Sequence, residues 1–266
     1  MGCYTVRFHH GICNTISKLQ TNLIIKYSLQ FNGDECQPFS INKTIFGFLK
    51  HQLIIIVKHF IDLENWERKD HFDFFSKFSD PFWGLTFNVD CSIAYKRAKA
   101  LNYSFYLYYL YQSLRAVNLV DAFKFRIEDD KPVRYDRIDA SATVDKPDGT
   151  FGFSNIIYKA DFIDFQQLAR AEIARVRVEK GLNTGVAGQN VIHYSAVPWI
   201  SFTSLSHASH SAFKDSIPKI SFGKTFLQDD HLLMPVALHA HHALIDGLQA
   251  GQFVDLFQKF LNETEI

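Results

Sequence analysis

Three histidines lie close together near the C-terminus, in the segment HAHHALIDG at residues 239–247. Residues 231–242 are predicted to form a strand, in which side chains alternate between two faces, so His242 shares an apolar face with Leu238 and Ala240. Burial among apolar side chains disfavours an imidazolium, and a neutral imidazole near pH 7 is what general-base catalysis requires. His242 is therefore the first candidate for catalytic chemistry.

Two other interpretations of these histidines stay open. A lone histidine at a strand end is often a hydrogen-bonded core residue. Clustered histidines also suggest zinc, but only His239 and His241 point the same way, and no Cys or Glu nearby completes four ligands. We therefore expect no metal site.

An arginine on the first predicted helix, residues 66–78, is the second candidate. Arg68, Phe72 and Phe75 recur at helical spacing, so the guanidinium lies on the same face as the phenylalanine rings. A buried guanidinium keeps its proton and needs a carboxylate partner. Asp246 is a candidate because apolar residues flank it. The alternative is that the Arg68 stem lies on the core and its head reaches solvent.

The elements that must position these residues follow from caps, turns and periodicity. The predicted helices cover residues 66–78, 92–99, 103–118, 164–180 and 248–261, and the predicted strands cover 57–63, a hairpin over 123–136, 138–144, 150–158, 191–204, 217–226 and 231–242. Hairpin-joined strands dominate the second half, and neither a GxGxxG motif nor a P-loop is present. This order predicts an α+β protein and argues against a nucleotide-binding doubly wound sheet.

The composition excludes several classes of protein. Of 266 residues, 47% are hydrophobic and 21% are charged, which is typical of a globular chain. Twenty-eight basic residues balance 28 acidic ones, so no net charge favours nucleic acid or an anionic membrane. No apolar run approaches the ~18 residues that a transmembrane helix needs. Four Cys without a CxxC pair indicate a reducing compartment. We expect a cytoplasmic protein with neither nucleic acid nor a membrane as a partner.

Four segments together resemble one enzyme family. HHALIDG at 241–247 matches the HHxxxDG signature of the chloramphenicol acetyltransferase family, which dihydrolipoamide acyltransferases and peptide-synthetase condensation domains share. In the right order, IDLENWERKDHF at 61–72 resembles the family's first strand and helix, YSAVPWISF at 194–202 its SAxPWxxF strand, and LMP at 233–235 the start of its catalytic strand. The resemblance covers residues 57–266.

This resemblance implies a fold, an assembly and an activity. The fold is α+β, with a two-layer mixed β-sheet packed with helices, as in CoA-dependent acyltransferases. The assembly is a homotrimer with active sites between subunits, where acetyl-CoA as co-substrate and a small-molecule acceptor enter a tunnel from opposite ends. The activity is O-acetylation of chloramphenicol, which gives antibiotic resistance.

The resemblance also implies roles for individual residues. His242 resembles the general base, which takes the proton of the acceptor hydroxyl as that hydroxyl attacks the thioester. Ser195 matches the serine that donates to the tetrahedral oxyanion. Asp246 and Arg68 match a buried ion pair that holds the catalytic loop without moving protons, which is the pairing that the helix face also suggests.

Five further residues match positions that bind the two substrates. Lys224 and Ser221 match CoA-binding positions, and Phe74, Phe75 and Phe151 fall near positions that line the acceptor pocket. A solvated surface lysine and core phenylalanines are the alternatives.

Three departures from the family pattern leave the acceptor open. His193 stands where the family has Asn, residues 79–83 differ from the usual pocket segment, and Phe75 replaces a common Tyr. We therefore keep two alternatives to chloramphenicol acetylation: transfer to another small hydroxyl acceptor, and a non-catalytic ligand-binding trimer. A dihydrolipoamide acyltransferase is less favoured, because we expect no lipoyl domain or Pro/Ala-rich linker before the catalytic region.

The domain organisation follows from the same boundary. Residues 57–266 are the expected catalytic domain. Residues 1–56 keep neither a helical nor a strand period for long. We expect them to be a disordered extension or a non-native read-through.

Overall fold

The computed structural model describes residues 4–7, 13–16, 55–182, 188–208 and 215–264. Near the N-terminus, three strands, β1 (Tyr4–Arg7), β2 (Cys13–Ile16) and β3 (Ile55–Ile56), pair in the order β2-β1-β3. Most of the predicted extension 1–56 lies outside the described residues, so its disorder and its dispensability stay predictions.

Among the described residues, the remaining elements include ten strands and five α-helices. The strands are β4 (Lys58–Phe60), β5 (Phe82–Asp90), β6 (Phe125–Glu128), β7 (Lys131–Tyr135), β8 (Asp139–Asp145), β9 (Phe151–Phe153), β10 (Val191–Val197), β11 (Lys219–Gly223), β12 (Phe226–Gln228) and β13 (His231–His241). The helices are α1 (Lys69–Phe75), α2 (Ser92–Ala100), α3 (Phe105–Leu119), α4 (Phe162–Val178) and α5 (Gly247–Asn262), with short 3-10 turns at Leu63–Asn65 and Asp121–Lys124.

A mixed seven-stranded sheet is the centre of the fold. Its order is β12-β13-β11-β10-β8-β9, and β5 pairs with β13. β10 is parallel to β8 and β11, whereas β13 is antiparallel to β11, β12 and β5. β4, β7 and β6 form a separate three-stranded antiparallel sheet. The α+β class and the mixed sheet packed with helices are confirmed.

Helices α3 and α5 cover one face of the large sheet. The Tyr109 ring of α3 lies 4.8 Å from that of Phe222, and Phe257 of α5 lies 6.1 Å from the same ring. Ser113 of α3 and Tyr194 of β10 join their hydroxyls at 3.2 Å across this buried layer. Because side chains alternate along a strand, the neighbours of Tyr194 and Phe222 in sequence point to the other face. That other face carries the candidate site.

The predicted hairpins are confirmed by their turns. Asp129 and Asp130 connect β6 to β7 with φ of 50° and 59°, and Asp229 and Asp230 connect β12 to β13 with φ of 48° and 65°. Two consecutive positive φ angles are typical of the tight turns whose twist matches that of paired strands, and Asp tolerates this conformation better than most residues.

The structure differs from the sequence prediction at the first helix and at the strand that follows it. The helix predicted over 66–78 is limited to Lys69–Phe75, because Asp62 caps a separate 3-10 turn ahead of it by accepting the N–H of Glu64. Residues 82–90, to which no element is assigned from sequence, form β5 and pair with β13 along their whole length. Among the described helices, none has the length and apolar character that crossing a bilayer requires.

Candidate active site

The strand β13 ends at His241, one residue earlier than predicted, so His242 is the first residue of the turn rather than part of the apolar row. His241 is buried, and its Nδ1 accepts the N–H of Ala243 at 3.2 Å. Burial lowers the pKa of His241 to about 4. This imidazole is therefore neutral at pH 7, and Nδ1 lacks the proton, which leaves the hydrogen on Nε2.

His242 is held in the turn by its backbone and by ring contacts. Its N–H donates to the carbonyl of Pro81 at 2.9 Å. Its half-buried imidazole stacks on Phe75 with a centroid separation of 4.0 Å and an interplanar angle of 1°, and Trp83 packs beside it at 5.4 Å. Nδ1 of His242 is buried without a hydrogen-bond partner among the described residues. The ring thus has a fixed plane and an apolar surround.

The end of the same turn is fixed by an ion pair and a helix cap. Nη1 of Arg68 donates to Oδ2 of Asp246 at 2.8 Å. The other carboxylate oxygen accepts the N–H of Leu248 at 3.0 Å, and the side chain of Gln249 reaches back to the N–H of Asp246, which completes a capping box on α5. Burial would raise the pKa of Asp246, but these hydrogen bonds and the positive charge of Arg68 outweigh it and lower the pKa.

A third anchor of the turn comes from β5. Nε1 of Trp83 donates to the carbonyl of Ile245 at 2.9 Å. The Pro81 carbonyl accepts the N–H of His242 at the start of the turn, and Arg68 bonds the carboxylate of Asp246 at its end. All three bonds come from residues 68–83, so the N-terminal part of the domain holds the turn near its C-terminus.

The two predicted serines are neighbours on the open face of the sheet. Ser195 of β10 and Ser221 of β11 are register partners, and Ala237 of β13 is the partner of Ser221. Ser221 is buried, and its hydroxyl and Nε2 of His207 are joined by a 3.2 Å hydrogen bond.

Within one chain, His242 and Ser195 do not meet. His242 lies five residues beyond Ala237, the register partner of Ser221, in the chain. At ~3.3 Å per residue this is about 17 Å along the strands, with two strand spacings across the sheet in addition. The predicted base and the predicted oxyanion donor belong to different parts of one protomer.

The remaining predicted residues fall into two groups. Phe74 and Phe75 lie together on α1, with ring centroids 5.0 Å apart, and Phe75 contacts His242. Phe151 is exposed on β9 and is separated from β13 by β8, β10 and β11, so one chain does not bring it to His242. Lys224 is exposed after β11, and its N–H donates to the carbonyl of Ile200 at 2.8 Å.

Sequence reasoning missed a row of polar side chains next to the two serines. His193, Lys219 and His239 are register partners on β10, β11 and β13. Each lies two residues from Ser195, Ser221 or Ala237 on its own strand, so this row shares the serines' face of the sheet. The sequence signals the alternation along each strand, but only the register brings the three strands' polar positions side by side.

Among the described residues, no group of three or more His, Cys, Asp or Glu side chains is arranged to hold a metal ion.

Comparisons with known proteins agree with this architecture. The family model of chloramphenicol acetyltransferase matches residues 57–258. Chloramphenicol acetyltransferase 3 of Escherichia coli is 29% identical over 204 residues, which are 76% of this chain and 95% of that protein. A chloramphenicol acetyltransferase of Proteus mirabilis is 28% identical over 204 residues, covering 76% of this chain and 94% of that protein. A solved structure described as chloramphenicol acetyltransferase superposes with a TM-score of 0.73 at 35% identity, covering 77% of this chain and all of that one.

Proposed function

The chain belongs to the chloramphenicol acetyltransferase family and is an acyltransferase, and from this premise we propose that it transfers acetyl from acetyl-CoA to a hydroxyl of chloramphenicol. Such a transfer would give resistance to the antibiotic. We propose a cytoplasmic location as well, because four Cys without a CxxC pair are typical of a reducing compartment.

In the proposed mechanism, His242 is the general base. Its imidazole accepts the proton of the acceptor hydroxyl while the hydroxyl oxygen forms a bond to the thioester carbonyl carbon. The carbonyl oxygen becomes an oxyanion, and Ser195 donates a hydrogen bond to it. When the intermediate collapses, the C–S bond breaks, the CoA sulfur takes the proton from His242, and the acetyl ester leaves. No acyl-enzyme forms.

The observation that carries this proposal is the set of contacts that hold the turn presenting His242. A general base must hold its nitrogen within hydrogen-bond reach of the proton that it accepts. Stacking on Phe75 at 4.0 Å fixes the ring plane, and the bond between Arg68 and Asp246 fixes the far end of the turn. We assign Arg68 and Asp246 to positioning, because Nη1 of Arg68 bonds one carboxylate oxygen of Asp246 while the other oxygen caps α5.

A second copy of the chain is needed to complete this site. His242 and Ser195 are about 17 Å apart along the strands of one protomer, beyond the reach of a single tetrahedral intermediate. We propose a homotrimer in which His242 of one subunit faces Ser195 of the next. A closed ring of three identical heterologous contacts forms three such sites.

We assign the two substrates to opposite sides of this site. Lys224 is exposed just beyond β11 and is our candidate for contact with a CoA phosphate, and Ser221, buried on β11 three residues earlier, is our second CoA-binding candidate. Phe74 and Phe75 are our candidates for the acceptor pocket. Phe151 fits that role only as a contribution from a neighbouring subunit, because it lies far from His242 in its own chain.

Release of the CoA thiol in the presence of acetyl-CoA and chloramphenicol tests the proposal. We expect acceptor-dependent release by the wild-type chain, and loss of at least ~100-fold in kcat for His242→Ala, because proton transfer by a positioned base contributes ~10²–10⁴-fold. His59→Ala is the matched control, since His59 is exposed on β4 and bonds Asp136. Native oligomer mass should be unchanged in both variants. A near-native rate for His242→Ala would refute the role of this base.

Another hydroxyl-bearing acceptor is a second candidate. The row of His193, Lys219 and His239 makes the sheet face beside the serines polar, and Phe75 has no hydroxyl to offer an acceptor. CoA release with a different alcohol, and none with chloramphenicol, would favour this candidate. A non-catalytic ligand-binding trimer would release no CoA with any acceptor.

A further inference from the structure

A cavity of about 620 Å³ lies beside the turn that carries His242. α1 and residues 79–82 form one wall, and the open face of the sheet forms the other. The sheet side contributes Lys219, His239 and His241, and the loop before β11 contributes His207.

The polar side chains of this wall are arranged as a connected surface. Lys219 and His239 are cross-strand partners, and the rings of His207 and His239 meet edge to face at 4.9 Å. His207 in turn hydrogen-bonds the hydroxyl of Ser221, which is the register partner of Ser195. His207 therefore links the cavity wall to Ser221, although neither serine lines the cavity itself.

The histidines of this wall are neutral at pH 7. Burial lowers the pKa of His207 to about 4 and that of His241 to about 4, and burial also lowers the pKa of His239. A neutral imidazole has one N–H donor and one acceptor nitrogen, as a hydroxyl group has both a donor and an acceptor. Nδ1 of His239 is buried without a hydrogen-bond partner among the described residues.

The charged groups of the cavity do not favour an ionic ligand. Lys219 is its one lysine, and Nζ already bonds Asp215 at 2.6 Å and lies 3.9 Å from the ring centroid of Phe82. The carboxylates of Asp80, Asp130 and Asp215 outnumber this cation. An anionic ligand would meet more negative than positive charge.

We propose that this cavity, which borders the same helix α1 as Phe74 and Phe75 and is taken as part of the acceptor pocket of the proposed function, selects an uncharged acceptor that carries several hydroxyl groups. His207 and His239 are the selecting residues. Through them the pocket binds the acceptor by hydrogen bonds and favours a polyol or sugar-like alcohol over an equally large apolar alcohol.

Binding of two matched alcohols tests this inference. Methyl glucopyranoside and cyclohexylmethanol each carry one primary alcohol on a six-membered ring and differ mainly in their other hydroxyls. We expect the full-length wild-type chain, titrated at millimolar concentrations with CoA present, to bind the glucoside at least tenfold more tightly, as two or more net hydrogen bonds would give.

Substitution of the selecting residues should remove this preference. His207→Leu and His239→Leu should each weaken glucoside binding about five- to tenfold and leave cyclohexylmethanol binding equal or tighter. His59→Leu, at an exposed site on β4, should change neither affinity. If His239→Leu does not fold, His207→Leu provides the same comparison from a loop position.

Equal affinities, tighter binding of cyclohexylmethanol, or no binding of the glucoside would overturn the inference. Measuring both binding and turnover distinguishes a failure of this inference from a failure of the proposed function. A chain that prefers the glucoside but releases no CoA with any acceptor would support the selectivity of the cavity and contradict the acetyltransfer.

Discussion

Replacement of Asp246 should destabilise the protein for two reasons: the Arg68 guanidinium loses its partner, and α5 loses its N-cap. In Asp246→Ala the Arg68 guanidinium loses its one hydrogen bond among the described residues, since its Nε and Nη2 are already buried without partners. Leaving a buried charge without its partner costs ~3–5 kcal/mol. The low end applies because the side chains of Arg68 and Asp246 are 16% and 28% exposed to solvent. Loss of the α5 cap adds ~1 kcal/mol. We expect about 4 kcal/mol in total.

Two further variants separate the free-energy cost of the lost ion pair from that of the lost cap. Asn is an effective N-cap, so Asp246→Asn should lose about 3 kcal/mol and keep the cap. Adding Arg68→Met to Asp246→Asn removes the stranded charge and should recover much of that loss.

Urea unfolding at fixed protomer concentration measures these differences, because the proposed assembly would make stability depend on protomer concentration. Equal stability of the wild type and Asp246→Asn would refute the ion-pair argument, and so would a double variant no more stable than Asp246→Asn.

Two further predictions concern the stability contributed by the buried side chains of His241 and Arg126. The pKa of His241 is about 4 in the folded state and ~6.5 in the unfolded state. As the pH drops from 6.5 to 4, this residue should therefore lower the free energy of unfolding by up to about 1.4 kcal/mol per pH unit. Unfolding titrations of His241→Asn should show a flatter dependence on pH. Arg126 is fully buried and donates to four backbone carbonyls, including that of Val191 at the start of β10. Arg126→Leu should therefore lower the free energy of unfolding in urea by at least ~3 kcal/mol, and a loss below about 1 kcal/mol would contradict this.

The elements that local chemistry determines were the most predictable from sequence. The Asp pairs at 129–130 and 229–230 define hairpin turns that need no distant contact. α5 follows from an apolar stripe in the sequence, and the structure adds Asp246 as its cap. The HHxxxDG turn is equally local, so its position after a strand could be predicted, although the strand's last residue could not.

The features that depend on pairing between distant strands could not be predicted from the sequence. β5 contains Gly84 and follows Pro81, which indicate a break rather than a strand, but pairing with β13 along nine residues overrides this local preference. The row of His193, Lys219 and His239 exists only because three distant strands align in register. Residues on different strands become neighbours through the whole fold, and single-sequence patterns do not encode that register.

The central claim is that His242 of one subunit acts with Ser195 of another, and activity in mixed oligomers tests it most directly. His242→Ala and Ser195→Ala, each purified alone, should have at most ~1% of wild-type CoA release with chloramphenicol. In oligomers assembled from equal amounts of both, about a quarter of the interfaces combine an intact His242 with an intact Ser195, so about a quarter of the wild-type rate should return. No recovery in verified mixed oligomers would contradict the shared site.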